Sequence, residues 1–225
     1  GYPARALFSI PFVGINEKGN PVCINEKGQA TVGDLNFQER DNTDYLIYEG
    51  STDPIYNGSL GNTFNYKGFH LNLFLTYAFG NVVRLDPVFK AKYNDLTSMT
   101  HDFKNRWMQP GDENVTNVPG VVSRYEYEQN RTLLSTAYNA YNYTSVRTAK
   151  GDFIRLKEIS LAYDFPHRWL ENSPVNNISL KLQATNLMLL YADKKLNGQD
   201  PEFMNAGGVA SPMPKQFTLT LKLGL

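Results

Sequence analysis

The chain has 225 residues, 22 Lys+Arg against 22 Asp+Glu, a single Cys, and an aromatic set of 14 Tyr, 13 Phe and 2 Trp. Zero net charge argues against a nucleic-acid binder, which needs a basic surplus on one face to neutralise phosphates. One cysteine can close no intrachain disulfide and supply no cysteine-based metal knuckle, so Cys23 reads as a small buried apolar side chain. No run of about 18 apolar residues offers a membrane-crossing helix, although barrel strands, with their weaker alternating signal, stay possible. Gly1-Tyr2-Pro3-Ala4-Arg5 has no basic start followed by an apolar run, so any targeting signal is expected to be cleaved or to lie outside the chain.

Taken in chain order, the first feature is a repeat. Ile-Asn-Glu-Lys-Gly occurs at residues 15–19 and 24–28, each copy a glycine-containing turn between short extended pieces, which predicts a meander. Ser59 to Tyr66 then alternates Leu60, Phe64 and Tyr66 with Ser59, Gly61, Thr63 and Asn65. His70 to Phe79 places Leu71, Leu73, Leu75, Tyr77 and Phe79 opposite His70, Asn72, Thr76 and Ala78. Joined by the short Lys67-Gly68 turn, these predict a β-hairpin.

A long connection follows, about residues 81–147. Phe89, Tyr93, Leu96, Phe103 and Trp107 fall at helical spacing, Asp86 can cap with Pro87 at the first helical position, and Pro110-Gly111 can end it, so a helix is predicted over about 87–108. The pattern then returns to period two. Ile159, Leu161, Tyr163 and Phe165 alternate with Glu158, Ser160, Ala162 and Asp164, but Arg155 and Lys157 fall on the apolar face, where they must snorkel or stand above the apolar band. Ile178, Leu180, Leu182 and Ala184 form another strand, and Phe217, Leu219, Leu221, Leu223 and Leu225 the last.

Strands with one apolar and one polar face suit a soluble sandwich, whose apolar faces meet, or an outer-membrane barrel, whose apolar faces meet lipid. Three features favour the barrel. The strands run to roughly 9–12 residues, enough to cross a bilayer at a tilt. Aromatics gather at strand ends (Tyr66, Phe69, Tyr77, Phe79, Tyr163, Phe165, Phe217). Connections alternate short and long. With a periplasmic C-terminus, residues 81–147 and 191–214 lie outside the cell, and the Lys67-Gly68 turn and residues 166–177 lie inside. The fold class expected is therefore all-β: antiparallel transmembrane β-barrel strands forming a partial barrel, with long extracellular loops, one containing a helix. On this reading Leu71, Leu73, Leu75, Tyr77, Ile159, Leu161, Tyr163, Phe217, Leu219, Leu221 and Leu223 face lipid.

Several strings, in order, carry a resemblance. Residues 151–166, GDFIRLKEISLAYDFP, together with Arg106-Trp107 before Pro110-Gly111-Asp112, Asn186-Leu187 followed by Asp200-Pro201-Glu202, and the stretch from Phe64 to Gly80, resemble SusC/RagA-like TonB-dependent outer-membrane transporters from about residue 50 onward. The resemblance implies a plugged barrel of about 22 strands, of which this chain would be the C-terminal part. It implies a SusD-like surface lipoprotein as partner, energy from TonB through an N-terminal part outside this chain, glycan or peptide as substrate, and a Gram-negative, Bacteroidetes-like outer membrane as location. It implies no enzyme activity and no cofactor. The chain departs from the family at residues 33–41, where Phe37 and Arg40 stand in what is often an acidic, calcium-loop-like stretch, and at Leu225, where such barrels usually end in an aromatic.

Chemistry-bearing groups have plain readings. His70, His101 and His167 lack ligand spacing, and Glu158 and Asp164, six residues apart on one strand, are too distant for a glycosidase pair and suit a polar lumen. With 23 Asn, the five Asn-x-Ser/Thr sequons (Asn57, Asn114, Asn130, Asn142, Asn177) arise by composition. Trp107, Tyr125, Tyr127, Tyr138, Tyr141 and Tyr143 lie in the long connection, where ring faces beside Asn and Arg suit stacking on sugars or contact with a partner. Packing of the loop itself is the alternative use of the same rings. A complete small barrel and a soluble carbohydrate-binding sandwich are the competing architectures.

Overall fold

The computed structural model describes residues 1–39, 41–94, 96–171, 174–204 and 213–224. Strands β1 (Ala6–Ser9), β2 (Phe12–Ile15), β3 (Pro21–Ile24), β4 (Ala30–Thr31) and β5 (Ile47–Ser51) precede a long hairpin, β6 (Tyr56–Tyr66) and β7 (Phe69–Phe79). Next come β8 (Val82–Arg84), helices α1 (Arg124–Gln129) and α2 (Arg131–Asn142), and β9 (Thr148–Lys150). They are followed by β10 (Phe153–Asp164), β11 (Asn177–Ala192), the short helix α3 (Pro201–Met204) and β12 (Gln216–Gly224). The chain divides into a sheet unit, residues 53–81 with 150–225, and a loop unit, residues 1–52 with 82–149.

The sheet unit is one five-stranded antiparallel sheet in the order β12-β11-β10-β7-β6. Its register aligns like with like. Leu71 sits opposite Phe64 and Leu161; Leu161 opposite Leu182, and Leu182 opposite Leu219; Leu73 opposite Ile159; Tyr163 opposite Leu180, and Leu180 opposite Leu221. Leu75, Tyr77, Phe217 and Leu223 complete the same face. All eleven residues expected on one face are therefore there, while Leu225 lies outside the described residues. Leu161, Phe217, Leu219, Leu221 and Leu223 are exposed, Leu219 by 69%, and the other six are half-buried by their neighbours within the sheet, where a sandwich would bury them all. The sheet does not close: β6 and β12 are its edges.

The hairpin turn has the chemistry its geometry demands. Lys67 (φ 46°) and Gly68 (φ 84°) both adopt positive φ, the two-residue arrangement whose twist matches that of the strands. A Cβ on Gly68 would stand 2.8 Å from the Asp164 carbonyl oxygen, and the Asp164 N–H donates to the Gly68 carbonyl.

In β10 the structure corrects the simple alternation. The register against both β7 and β11 shifts between Leu156 and Glu158, making Lys157 an extra, bulged residue. Ile154 and Leu156 then share the apolar face with Ile159, opposite Tyr77 and Leu75, and Arg155 turns to the polar face opposite Thr76. Arg155 does not snorkel there. It is 7% exposed and bonds Asp200, with Glu202 at 3.2 Å. β11 accommodates the same point with a shift between Thr185 and Met188, where Asn186 takes φ 53°. The polar face also holds Glu158 and Asp164, and it brings His70 between Asn65 (2.6 Å) and Asp164 (2.9 Å).

In the loop unit, β2-β3-β4 form the expected meander, and the repeat builds the same turn twice. Asn16 Oδ1 accepts from the N–H groups of Lys18 and Asn20, and Asn25 Oδ1 from those of Lys27 and Gln29. The helix expected over 87–108 does not form. That stretch has a single 3-10 turn, His101–Asn105, among its described residues, and the helices of this connection are α1 and α2. Side-chain bonds, one tertiary and two local, compete with helix there: Asn142 takes both the N–H and the carbonyl of Phe89, Lys90 N–H donates to Tyr93 Oη, and Asn94 Oδ1 accepts from Leu96 N–H and Thr97 Oγ1.

Deleting Lys157 removes the extra residue and swings Arg155 onto the apolar face. The full-length protein with this deletion should lose its cooperative unfolding transition in detergent, followed by circular dichroism, while Lys157→Ala retains it. A deletion variant as stable as its parent would overturn the bulge's role.

Candidate functional site

The site candidates lie in the loop unit, and its architecture starts at Ser123. The Ser123 side chain accepts from the Glu126 N–H to start α1, a Ser-x-x-Glu sequence with half of a capping box made. After Gln129 the chain turns at Asn130 into α2, whose Leu134, Ala137, Tyr138 and Tyr141 recur at helical spacing and are all buried. Around them pack Ala91, Val32, Val122 and Tyr127, and a second cluster joins Ala140 to Ile10, Cys23 and Phe12. Tyr141 meets Phe89 edge-on at 5.2 Å and Phe12 at 5.7 Å.

Two of the predicted contact residues are therefore core residues. Tyr138 and Tyr141 are 1% and 2% exposed, Tyr138 Oη donates to the Gly120 carbonyl at 2.5 Å, and burial pushes both phenols well above the usual tyrosine range. They cannot offer ring faces to a ligand outside. The Cys23 thiol lies in the same core, pushed up to about 12 by burial, and so stays protonated and unreactive at neutral pH.

Trp107 is a fastener. Its indole N–H donates to Glu113 Oε2 at 3.0 Å, its backbone N–H to the Val118 carbonyl, and its ring lies where a Cβ on Gly19 or Gly120 would be, 2.4 and 2.8 Å away. Glu113's own backbone N–H, with the Trp107 indole, holds its carboxyl below the usual carboxylate range. Tyr125, Tyr127 and Tyr143 keep accessible surface, Tyr125 being 77% exposed.

Tyr127 and Tyr143 stand with Lys90, Lys92, Ser135 and Asn139 along a groove of about 420 Å³ between α2 and the segment 87–92. Lys92 Nζ lies 5.9 Å from the Tyr127 ring centroid, and Tyr127 Oη is 3.2 Å from Ser135 Oγ. The groove is floored by the Asn142–Phe89 clamp and the buried Tyr138. The sequence does not mark Lys90, Lys92, Ser135 and Asn139 as a group, because the lysines fall in a stretch whose spacing predicts a helix and the other two on α2, some forty residues on. The signal that would have found the groove was the Ser123-to-Glu126 start and the 134/137/138/141 spacing.

Among the described residues no three His, Cys, Asp or Glu side chains gather as a metal site. In the stretch 33–41, Glu39 Oε1 is engaged by the N–H groups of Asp41 and Asn42, and Arg40 lies outside the described residues.

Tyr141→Ala should destabilise the loop unit by roughly 3–5 kcal/mol, the usual cost of a buried aromatic truncated to Ala, and Tyr125→Ala by about 0.5 kcal/mol or less. Limited trypsin digestion of the full-length protein should show earlier cleavage in the first variant alone. Cys23 should resist iodoacetamide at pH 8 until denaturant is added; alkylation of the native protein would contradict its burial.

No family model matches the chain. It is 27% identical over 192 residues to the TonB-dependent receptor P39 of Formosa agariphila, covering 80% of this chain and 17% of that protein. With the TonB-dependent receptor P3 of the same organism it shares 26% over 160 residues, covering 68% of this chain and 13% of the relative. The chain thus spans between about an eighth and a sixth of these curated relatives. In fold it is similar to the RagAB peptide transporter, with TM-score 0.64 and 20% identity, and to the RagAB peptide importer in the open-open state, with TM-score 0.63 and 19% identity. Each comparison covers 97% of this chain and 22% of the other. Sequence kinship with the receptors and a fold shared with RagAB along almost the whole chain agree in what the chain is similar to: a SusC/RagA-like TonB-dependent receptor, to a segment of which it corresponds.

Proposed function

We propose that this segment forms part of the outer-membrane wall and an outward-facing loop unit of an importer energised through TonB and served by a SusD-like surface lipoprotein, with a glycan as cargo. The observation that carries the reading is the apolar face of the sheet, banded by aromatics at both ends. At the Lys67-Gly68 end Phe69, Tyr163, Phe165 and Trp169 touch in series; at the other, Tyr77, Phe79 and Tyr191 do. Ten residue steps from Phe69 to Phe79 span about 33 Å along the strand, or about 25 Å along the membrane normal at a usual barrel tilt. That is the height of a barrel's apolar band. The eleven aligned residues of this face would then meet lipid, and the polar face would line the lumen.

The chain's chemistry in this role is non-covalent. The strands supply a sealed wall, the Arg155–Asp200 pair ties the 193–204 segment to the polar face, and the loop unit offers Tyr125, Tyr127 and Tyr143 to cargo or lipoprotein. The relatives are named receptors and the RagAB structures a peptide importer. The exposed rings beside amides support a sugar here.

Two measurements test this. In the full-length receptor, Leu219→Arg should cost about 2–4 kcal/mol of stability in a bilayer and Thr220→Arg, on the opposite face, far less; equal costs would remove the lipid from this face. Uptake of oligosaccharide by cells carrying the receptor should stop when TonB is deleted, and TonB-independent uptake would overturn the importer reading.

A further inference from the structure

The groove of the loop unit has a chemical bias that the importer reading alone does not require. Lys90 and Lys92 both line it, no Asp or Glu does among the described residues, and its other polar groups are uncharged: Tyr127, Ser135, Asn139, Asn142 and Tyr143. Two ammonium groups without a facing carboxylate set a positive potential in a partly enclosed space, where low-dielectric walls concentrate it. The Lys92 ammonium already rests against the electron-rich face of Tyr127. A ligand with an acid group and a stackable ring body could take the ammonium with one end and the tyrosine with the other.

The backbone of the groove narrows the choice further. An extended peptide gains affinity by adding main-chain hydrogen bonds to a free edge. Here α2 uses its own N–H and carbonyl groups, Asn142 occupies both those of Phe89, and the Lys90 N–H is committed to Tyr93 Oη. With little backbone left to pair, the groove offers a ligand chiefly ring faces, the Asn139 amide, a hydroxyl and two ammonium groups. Those are groups that grip a pyranose ring and its acid substituent. At about 420 Å³ the groove falls in the size range of small-ligand sites.

We infer that this groove is a subsite for an acidic sugar, a pyranose bearing a carboxylate or a sulfate, with Lys90 and Lys92 holding the acid group and Tyr127 and Tyr143 the ring. The inference rests on the glycan-import reading and names the class of glycan.

The test is calorimetric titration of the full-length receptor in detergent with tetragalacturonate, a sulfated tetrasaccharide, neutral maltotetraose and tetraglutamate peptide. Tetragalacturonate, the sulfated sugar or both should bind about tenfold tighter than maltotetraose, a difference of about 1.4 kcal/mol, and which of them does so tells carboxylate from sulfate. Lys90→Ala with Lys92→Ala should erase that preference, and Tyr127→Ala should weaken every sugar that binds. Both lysines are exposed, so the double variant should keep the parent's unfolding transition. Acidic and neutral sugars binding alike, or a preference that survives the double variant, overturns the subsite while leaving glycan import standing. Tetraglutamate bound through the same lysines, with no sugar bound at all, overturns the glycan reading and the subsite with it.

Discussion

The sheet depends on one constraint of phase: every strand must present its apolar residues to the same side at the same height as its neighbours. Side chains alternate with period two, so a single unpaired residue inverts everything beyond it. In β10 the sequence contains such an inversion, and the Lys157 bulge corrects it locally, with a matching irregularity on β11 at Asn186. The polar side benefits as much as the apolar side. Because the bulge puts Arg155 on the polar face, Asp200 and Glu202 have a cation to meet, and the stretch following β11 has an anchor on the sheet.

Aromatic residues do three different jobs in this chain, decided by where the backbone puts them. On the strands they cap the ends of an apolar face. In α2, Tyr138 and Tyr141 fill the core of the loop unit, the Tyr138 hydroxyl costing little because it finds the Gly120 carbonyl. On the groove wall, Tyr127 and Tyr143 keep accessible surface beside a cation each, Lys92 and Arg84. Composition gives no means of sorting these roles, since tyrosines serve in all three.

The strands were legible because alternation is a short-range property and each strand is long. Both ends of the β6–β7 hairpin were readable within a few residues, and the Lys67-Gly68 turn with them. The bulge was not: Arg155 and Lys157 appeared on the apolar side because periodicity continues a phase and cannot announce a slip. The helix was misplaced for a different reason. Phe89, Tyr93, Leu96, Phe103 and Trp107 mimic helical spacing, yet Leu96 is 94% exposed and the Phe89 backbone is taken by an Asn more than fifty residues away. Tertiary bonds of that kind leave no trace in local sequence. The real helix sits in a segment whose Asn, Ser and Thr content hid the apolar stripe at 134, 137, 138 and 141. Of the six aromatic residues singled out, the sequence could place all in one connection, but burial divided them.

The duplicated Ile-Asn-Glu-Lys-Gly turn gives two glycines the same backbone and different surroundings. Gly19 and Gly28 both hold positive φ, 78° and 74°, but Trp107 covers Gly19 while nothing comes within 4 Å of a Cβ on Gly28. Asn or Asp, which tolerate that conformation, could therefore replace Gly28 at small cost, whereas at Gly19 any side chain would displace the indole and the Glu113 bond with it. Two copies that began alike are thus free to diverge in only one member: the second turn can drift, and the first is fixed by a tryptophan nearly ninety residues along the chain.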